Sequence, residues 1–210
     1  MIPVRALRPF VRRRVLREDG APRCELCAVP IDTEHRHLVD RQRRRICCAC
    51  PACAVLFDHE AARGFRSVPR RVLRDQAGAI EERDLLAAGI PVRLAFLFLH
   101  GDRQRWIAIY PSPAGSTEVE LEEAQAAHLL AASPLFAEAQ ADVEAVLLHG
   151  PRGSSRIEAL LVPIDRCYEL TASLRRHWKG FEGGREVHEA IGAFFAALQA
   201  ASRELPRRAT

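Results

Sequence analysis

Ile46-Cys47-Cys48-Ala49-Cys50-Pro51-Ala52-Cys53 places four thiols in eight residues, and Cys24-Glu25-Leu26-Cys27 supplies two more upstream. Arginines interrupt the N-terminal stretch, so it lacks the apolar centre of a secretory signal, and a cytoplasmic location is expected. Thiols stay reduced in that compartment, and six of them in thirty residues point to metal ligation rather than to disulfides. A Cys-x-x-Cys lets one backbone turn present two sulfurs at the separation a tetrahedral metal needs. Cys24 and Cys27 make one such pair. The second pair could be Cys47 with Cys50 or Cys50 with Cys53, and Pro51 favours the latter. Proline suits the first position of a helix, where its missing N–H has no partner to lose. The run from Cys50 to Arg63 then reads as a short helix ended by Gly64. The expected ligands are Cys24, Cys27, Cys50 and Cys53, and the expected ion is Zn2+. Cys47 and Cys48 are left without an assigned role, Cys48 being the better spare ligand.

Working outward, His37–Asp40 and Arg43–Ile46 read as short strands around a turn at Arg41-Gln42. Knuckle, hairpin and helix in that order form the layout of a treble clef. A zinc ribbon is the alternative, with Cys50 and Cys53 on a second knuckle. Iron is the competing metal, as in a rubredoxin-like or iron–sulfur electron carrier. Rubredoxin knuckles normally follow the second cysteine with glycine, but Ala28 and Ala54 stand there, and no Phe, Tyr or Trp lies between Cys27 and Phe57. Spare donors Cys47, Cys48, His35 and His37 would suit metal handover, although the two histidines alone read as exposed polar residues of a hairpin.

Beyond a connection over 66–80, strand-like runs at Val92–Leu99 and Arg105–Tyr110 form a hairpin around His100-Gly101-Asp102. The first is apolar on both faces and is expected to be central. Pro111–Thr117 reads as a loop and Glu120–Ala132 as a helix. A second hairpin, Val143–His149 with Arg156–Val162, precedes a helix capped by Asp165 and striped by Cys167, Leu170, Leu174 and Trp178. The last helix is expected over Arg185–Glu204. The fold class is α+β: a small treble-clef or zinc-ribbon-like four-cysteine module, then an antiparallel sheet domain with helices packed on one side. Its divisions are a basic arm over 1–20, the module over 21–65, a linker over 66–80 and the α+β domain over 81–205.

The formal net charge of +4 is too small to imply nucleic acid by itself. Arg36, Arg41, Arg43, Arg44 and Arg45 nevertheless concentrate between the cysteine groups, so a nucleic-acid-binding zinc module is a further alternative. No apolar run reaches the roughly 18 residues of a membrane helix. Cys167, with His177 or His188 as base, is the one nucleophile worth weighing, but its place on an apolar stripe marks it as a core thiol. Gly180-Phe181-Glu182-Gly183-Gly184 lacks the lysine and the strand–helix setting of a phosphate loop. No catalytic set is recognisable, so the expectation is a protein that is not an enzyme.

Several segments carry a resemblance together. They are Cys24-Glu-Leu-Cys27, His37-Leu-Val-Asp40, Cys48-Ala-Cys-Pro-Ala-Cys53 with Leu56-Phe57, and Tyr110-Pro111 with Ala114-Gly115. To these are added Val162-Pro-Ile-Asp-Arg-Cys-Tyr-Glu-Leu170 and Trp178-Lys-Gly-Phe-Glu-Gly-Gly184. The chain resembles an uncharacterised, mainly actinobacterial family often encoded among [NiFe]-hydrogenase structural and maturation genes. The resemblance implies an accessory or maturation role, or an electron-transfer adaptor, with a hydrogenase subunit or maturation factor as partner. It assigns no activity to any residue.

Overall fold

A seven-stranded sheet forms the body of the protein, in the order β10-β4-β9-β8-β5-β6-β7. The computed structural model describes residues 21–58, 64–75, 80–112, 115–151, 153–177 and 184–205. The basic arm expected over 1–20, Trp178 and most of the Gly180–Gly184 turn lie outside them. In chain order the elements are β1 Arg36–Asp40, β2 Arg45–Ala49, α1 Pro51–Phe57, β3 Phe65–Ser67, β4 Leu73–Arg74 and α2 Glu82–Ala87. There follow β5 Leu94–His100, β6 Arg105–Ser112, β7 Gly115–Glu120, α3 Glu123–Ala132 and α4 Leu135–Glu138. The chain continues through β8 Glu144–His149, β9 Glu158–Pro163, α5 Ile164–His177, α6 Gly184–Ala201 and β10 Arg203–Glu204.

Alternation along the strands decides the layering. Phe96, Phe98, Ile107, Ile109, Ala145, Leu147, Leu160 and Val162 face one way and meet Cys167, Leu170 and Leu174 of α5 and Val187, Ile191, Phe195 and Leu198 of α6. Their neighbours Ala95, Leu97, Trp106, Ala108, Val146, Leu148 and Leu161 face the other way, onto Leu85 of α2, Leu129 of α3 and Leu135 and Phe136 of α4. Helices therefore cover both faces of the sheet, not one as expected. The doubly apolar β5, flanked by β8 and β6, lies in the interior as its sequence requires.

Two parts of the stretch expected as a linker are strand. Phe65–Ser67 pairs with β1, giving a small antiparallel sheet in the order β2-β1-β3. Leu73–Arg74 then joins the large sheet beside β9. Arg71 anchors the passage: its Nε and Nη2 donate to Glu144 Oε1 and Oε2 at 2.7 and 2.8 Å. Glu144, the first residue of β8, is fully buried and also accepts from the Gln140 N–H at 2.9 Å.

The β1–β2 hairpin is the joint between the two sheets. Directly paired residues share a face, so Leu38 with Cys47 and His37 with Cys48 point to opposite sides. Leu38 and Ala49 enter the core of the cysteine module. Val39 and the buried Val68 beside β3, with the partly buried Ile46, join the core beneath α5 and α6. Among the described residues no helix is long and apolar enough to cross a membrane.

Candidate metal centre

Cys24, Cys27, Cys50 and Cys53 come together, their Sγ atoms all within 4.8 Å of one another. Four thiolates at about 2.3 Å from a tetrahedral ion would stand about 3.8 Å apart. The Cys27 and Cys50 sulfurs are 3.7 Å apart. Two local devices produce this. The Cys24–Val29 turn is closed by the Ala28 N–H to the Cys24 carbonyl at 2.8 Å and the Cys24 N–H to the Val29 carbonyl at 2.9 Å. Cys50 is the N-cap of α1, its sulfur accepting from the Cys53 N–H at 3.4 Å, with Pro51 at the first helical position. Capping and ligand placement are thus one geometry. The helix ends at Phe57, with Asp58 as its C-cap, and so is shorter than the expected run to Arg63; residues 59–63 lie outside the described residues.

The electrostatics of the group would suit a cation. Burial opposes ionisation of Cys24, but N–H groups of Cys50, Cys27 and Leu26 and the Cys27 thiol outweigh it and lower this thiol to about 6. Cys53 is driven the other way, first by burial and then by the neighbouring Cys27, Cys50 and Cys24 sulfurs. One negative charge is welcome in the cage and further ones repel. A divalent ion removes that conflict, and with it the protons. Thiols also make up half of the module's buried core, which is Leu38, Ala49 and Ala54 with Cys24, Cys50 and Cys53.

Ala28 holds φ at +66°, the left-handed conformation glycine adopts without strain. A β-carbon there costs about 1–2 kcal/mol. Ala28→Gly is expected to stabilise the protein by about 0.5–1 kcal/mol after the added freedom of the unfolded chain is subtracted. The midpoint of urea unfolding reads this directly, and an unchanged or lower midpoint contradicts it.

The remaining cysteines separate cleanly. Cys47 is fully buried on the module-core face, and burial raises its thiol. Cys48 lies on the other face, opposite His37. His35, His37 and Cys48 form a second group whose donor atoms lie within 4.8 Å of one another. The sequence offered His35, His37 and Cys48 as spare donors, though the histidines alone read as exposed, and it read Asp165 only as a helix cap; Asp165 Oδ2 in fact lies 2.7 Å from His37 Nδ1. Cys167 is fully buried and burial pushes its thiol well up, as befits a core residue.

Further along the same hairpin face lies a cavity of about 570 Å³, floored by Val39, Ile46, Phe98 and Ile164 and edged by Arg44 and Tyr168. The hairpin arginines around it are engaged internally. Arg41 donates to Asp142 at 2.9 Å and to Asp102, Arg44 to Glu118 at 2.8 Å, Arg45 to Glu25 at 2.7 Å, and Arg43 to Asp40 at 3.0 Å.

Antiparallel sheets, flanking helices and a four-cysteine group that could hold a metal ion define the class: an α+β protein with a candidate tetrathiolate metal centre. Within that class the chain belongs to the family of unknown function DUF5947, whose model matches residues 23–202, from the cysteine knuckle to the end of α6. No curated protein and no solved structure matches the chain.

Proposed function

We propose that this is a zinc-binding accessory protein that acts through contacts with other proteins, in the assembly or function of a [NiFe]-hydrogenase. The observation that carries the metal reading is the four-sulfur group, with its 3.7 Å sulfur–sulfur edge and its N–H donors. A turn bearing Cys24 and Cys27, a hairpin, and a helix bearing Cys50 and Cys53 at its start follow the layout of a treble clef. Such closed four-thiolate sites hold zinc as a staple for modules whose own core is small. Iron in the same cage is the second reading. Ala28 holds the positive φ that a glycine takes without strain, so its side chain does not by itself set the knuckle against iron.

The reading of protein contacts rests on exposed apolar side chains. Val29, Val55 and Leu56, exposed by 45%, 79% and 62%, all belong to the module, among six such large residues in the described chain. The carboxylates that pair with Arg41, Arg43, Arg44 and Arg45 make a phosphate-binding hairpin the weaker alternative. The hydrogenase context comes from the family resemblance of the cysteine, Tyr110-Pro111 and Val162–Leu170 segments.

Anaerobic purification with metal analysis tests the first part: a colourless, zinc-loaded protein is expected, and a coloured iron protein replaces zinc with an electron-transfer role. The second part is tested by binding to the purified hydrogenase subunits and maturation factors of the same genome. Val55→Asp with Leu56→Asp is expected to weaken a complex at least about tenfold, because two apolar anchors are lost. No complex with any of these proteins overturns the hydrogenase role.

A further inference from the structure

We infer that His35, His37 and Cys48 form a second transition-metal site, with three protein donors and one open coordination position, on the hairpin face opposite the core of the four-cysteine group. The pairing of β1 with β2 sets His37 directly across from Cys48, so both side chains leave the same face. His35, two residues earlier, brings its ring edge-on to that of His37, with centroids 4.8 Å apart. One nitrogen from each ring and the Cys48 Sγ lie within 4.8 Å of one another. An ion with arms of about 2.0–2.3 Å holds its donors about 3.3–3.8 Å apart, so shifts of about 1 Å close the site.

The hydrogen bonds decide what each ring offers. His35 Nδ1 lies 2.8 Å from the Asp32 carbonyl, and His37 Nδ1 lies 2.7 Å from Asp165 Oδ2. Carbonyl and carboxylate oxygens only accept, so each Nδ1 carries the proton. In the neutral rings Nε2 then bears the lone pair. His35 Nε2 is buried and has no hydrogen-bond partner. A buried acceptor without a donor is a rare and costly feature, and an ion is one of the few things that satisfies it.

Asp165 supplies the complementary half. A carboxylate behind a histidine fixes the tautomer and raises the basicity of the ligating nitrogen, the usual outer partner of a metal-bound imidazole. Its second oxygen, Oδ1, is also buried and without a partner, so a neutral His37 under-compensates the charge. A cation on the far side of the His37 ring supplies the missing balance. A plain ion pair between protonated His37 and Asp165 explains neither the bare His35 Nε2 nor the approach of Cys48. Two imidazoles and a thiolate select a borderline or soft ion of the zinc, nickel or copper kind, and exclude magnesium and calcium, which take oxygen ligands. With one position open, this ion exchanges faster than one enclosed by four thiolates.

The site goes beyond the closed zinc centre and does not rest on it. Anaerobic titration of metal-free protein with cobalt(II), and separately with zinc(II), is expected to give two equivalents per chain. X-ray absorption is expected to show sulfur-only ligation for one equivalent and added imidazole for the other. His35→Ala with His37→Ala, and independently Cys48→Ala, should remove the imidazole-ligated equivalent and leave the sulfur-only one. Asp165→Asn should weaken the second equivalent about 10–100-fold without changing the first. Saturation at one sulfur-only equivalent, or a second equivalent undiminished in the histidine variant, overturns the proposal. Loss of the sulfur-only signal alone would count against the four-cysteine centre instead.

Discussion

Cys50→Ser is expected to abolish tight metal retention and to loosen residues 24–57, while the seven-stranded sheet stays folded. The substitution is selective because serine is itself a preferred N-cap. The start of α1 therefore keeps its capping group, and what is lost is a soft donor in a four-sulfur cage. A structural zinc contributes on the order of 10 kcal/mol to the folding of small modules. The buried apolar side chains here, Leu38, Ala49 and Ala54, cannot replace that. The large sheet draws most of its two cores from its own strands and helices, and only Val39, Ile46 and Val68 come from the hairpin and β3 side. Metal content by mass spectrometry and hydrogen exchange of the β1 and β2 amides make the check. A variant that keeps its metal, or whose hairpin amides stay as protected as before, contradicts the result. Acidification should act in the same direction as the mutation, since protons compete with the ion for thiolates.

The second large effect lies far from the cysteines. Arg71→Met removes both donors from the Glu144 carboxylate, which has no exposure to water and keeps only the Gln140 N–H. Stranding a buried charge costs about 3–5 kcal/mol. The low end applies here, because the Arg71 side chain is itself 37% exposed. For a chain of this size that corresponds to a fall in Tm of about 10 °C. Adding Glu144→Leu should recover most of the loss, since an apolar pair of similar volume needs no counter-charge. A single variant with unchanged Tm, or a double variant no better than the single, would show that the pair does not carry the passage from β3 to β4.

The parts of this fold that were legible in the sequence are those where one residue has one physical use. Pro51 placed the helix start, and the doubly apolar Val92–Leu99 run placed an interior strand. The hairpin register was harder to read. A two-residue turn at Arg41-Gln42 would set Asp40 across from Arg43 and His37 across from Ile46. Instead the Asp40 carboxylate accepts the Arg43 N–H at 3.0 Å, and Arg44 adopts φ +49°. The loop therefore spans four residues, and His37 meets Cys48. A shift of two residues preserves the face but changes every partner, which is why the spare donors could be named in the sequence but Cys48 could not be told from Cys47 as the one that meets the histidines. Asp165, 128 residues from His37, is joined to it only by the packing of α5 on the hairpin.

Other gaps have similarly local causes. Pro111–Thr117 carries turn residues and read as a loop, yet most of it is the end of β6 and the start of β7 at the sheet edge. Pro111 is tolerated on β6 because the β5 ladder ends at Ile109, so beyond it one side of the strand has no ladder partner to lose. β4 and β10 are two residues each and too short to show any period. Helices on both faces follow from the alternating apolar residues of β5, β6, β8 and β9, each of which needs cover on both sides.

The β1–β2 hairpin is a party wall. Leu38 and Ala49 line one room, and Val39 and Ile46 line the next. A cysteine module of this size could be expected to behave as a cassette, trimmed from one protein and grafted onto another. Here a cut anywhere between Ser67 and Ile80 would take Val39 and Ile46 away from the core beneath α5 and leave that apolar surface bare. The module is therefore not a cassette: its hairpin supplies part of the floor on which α5 rests.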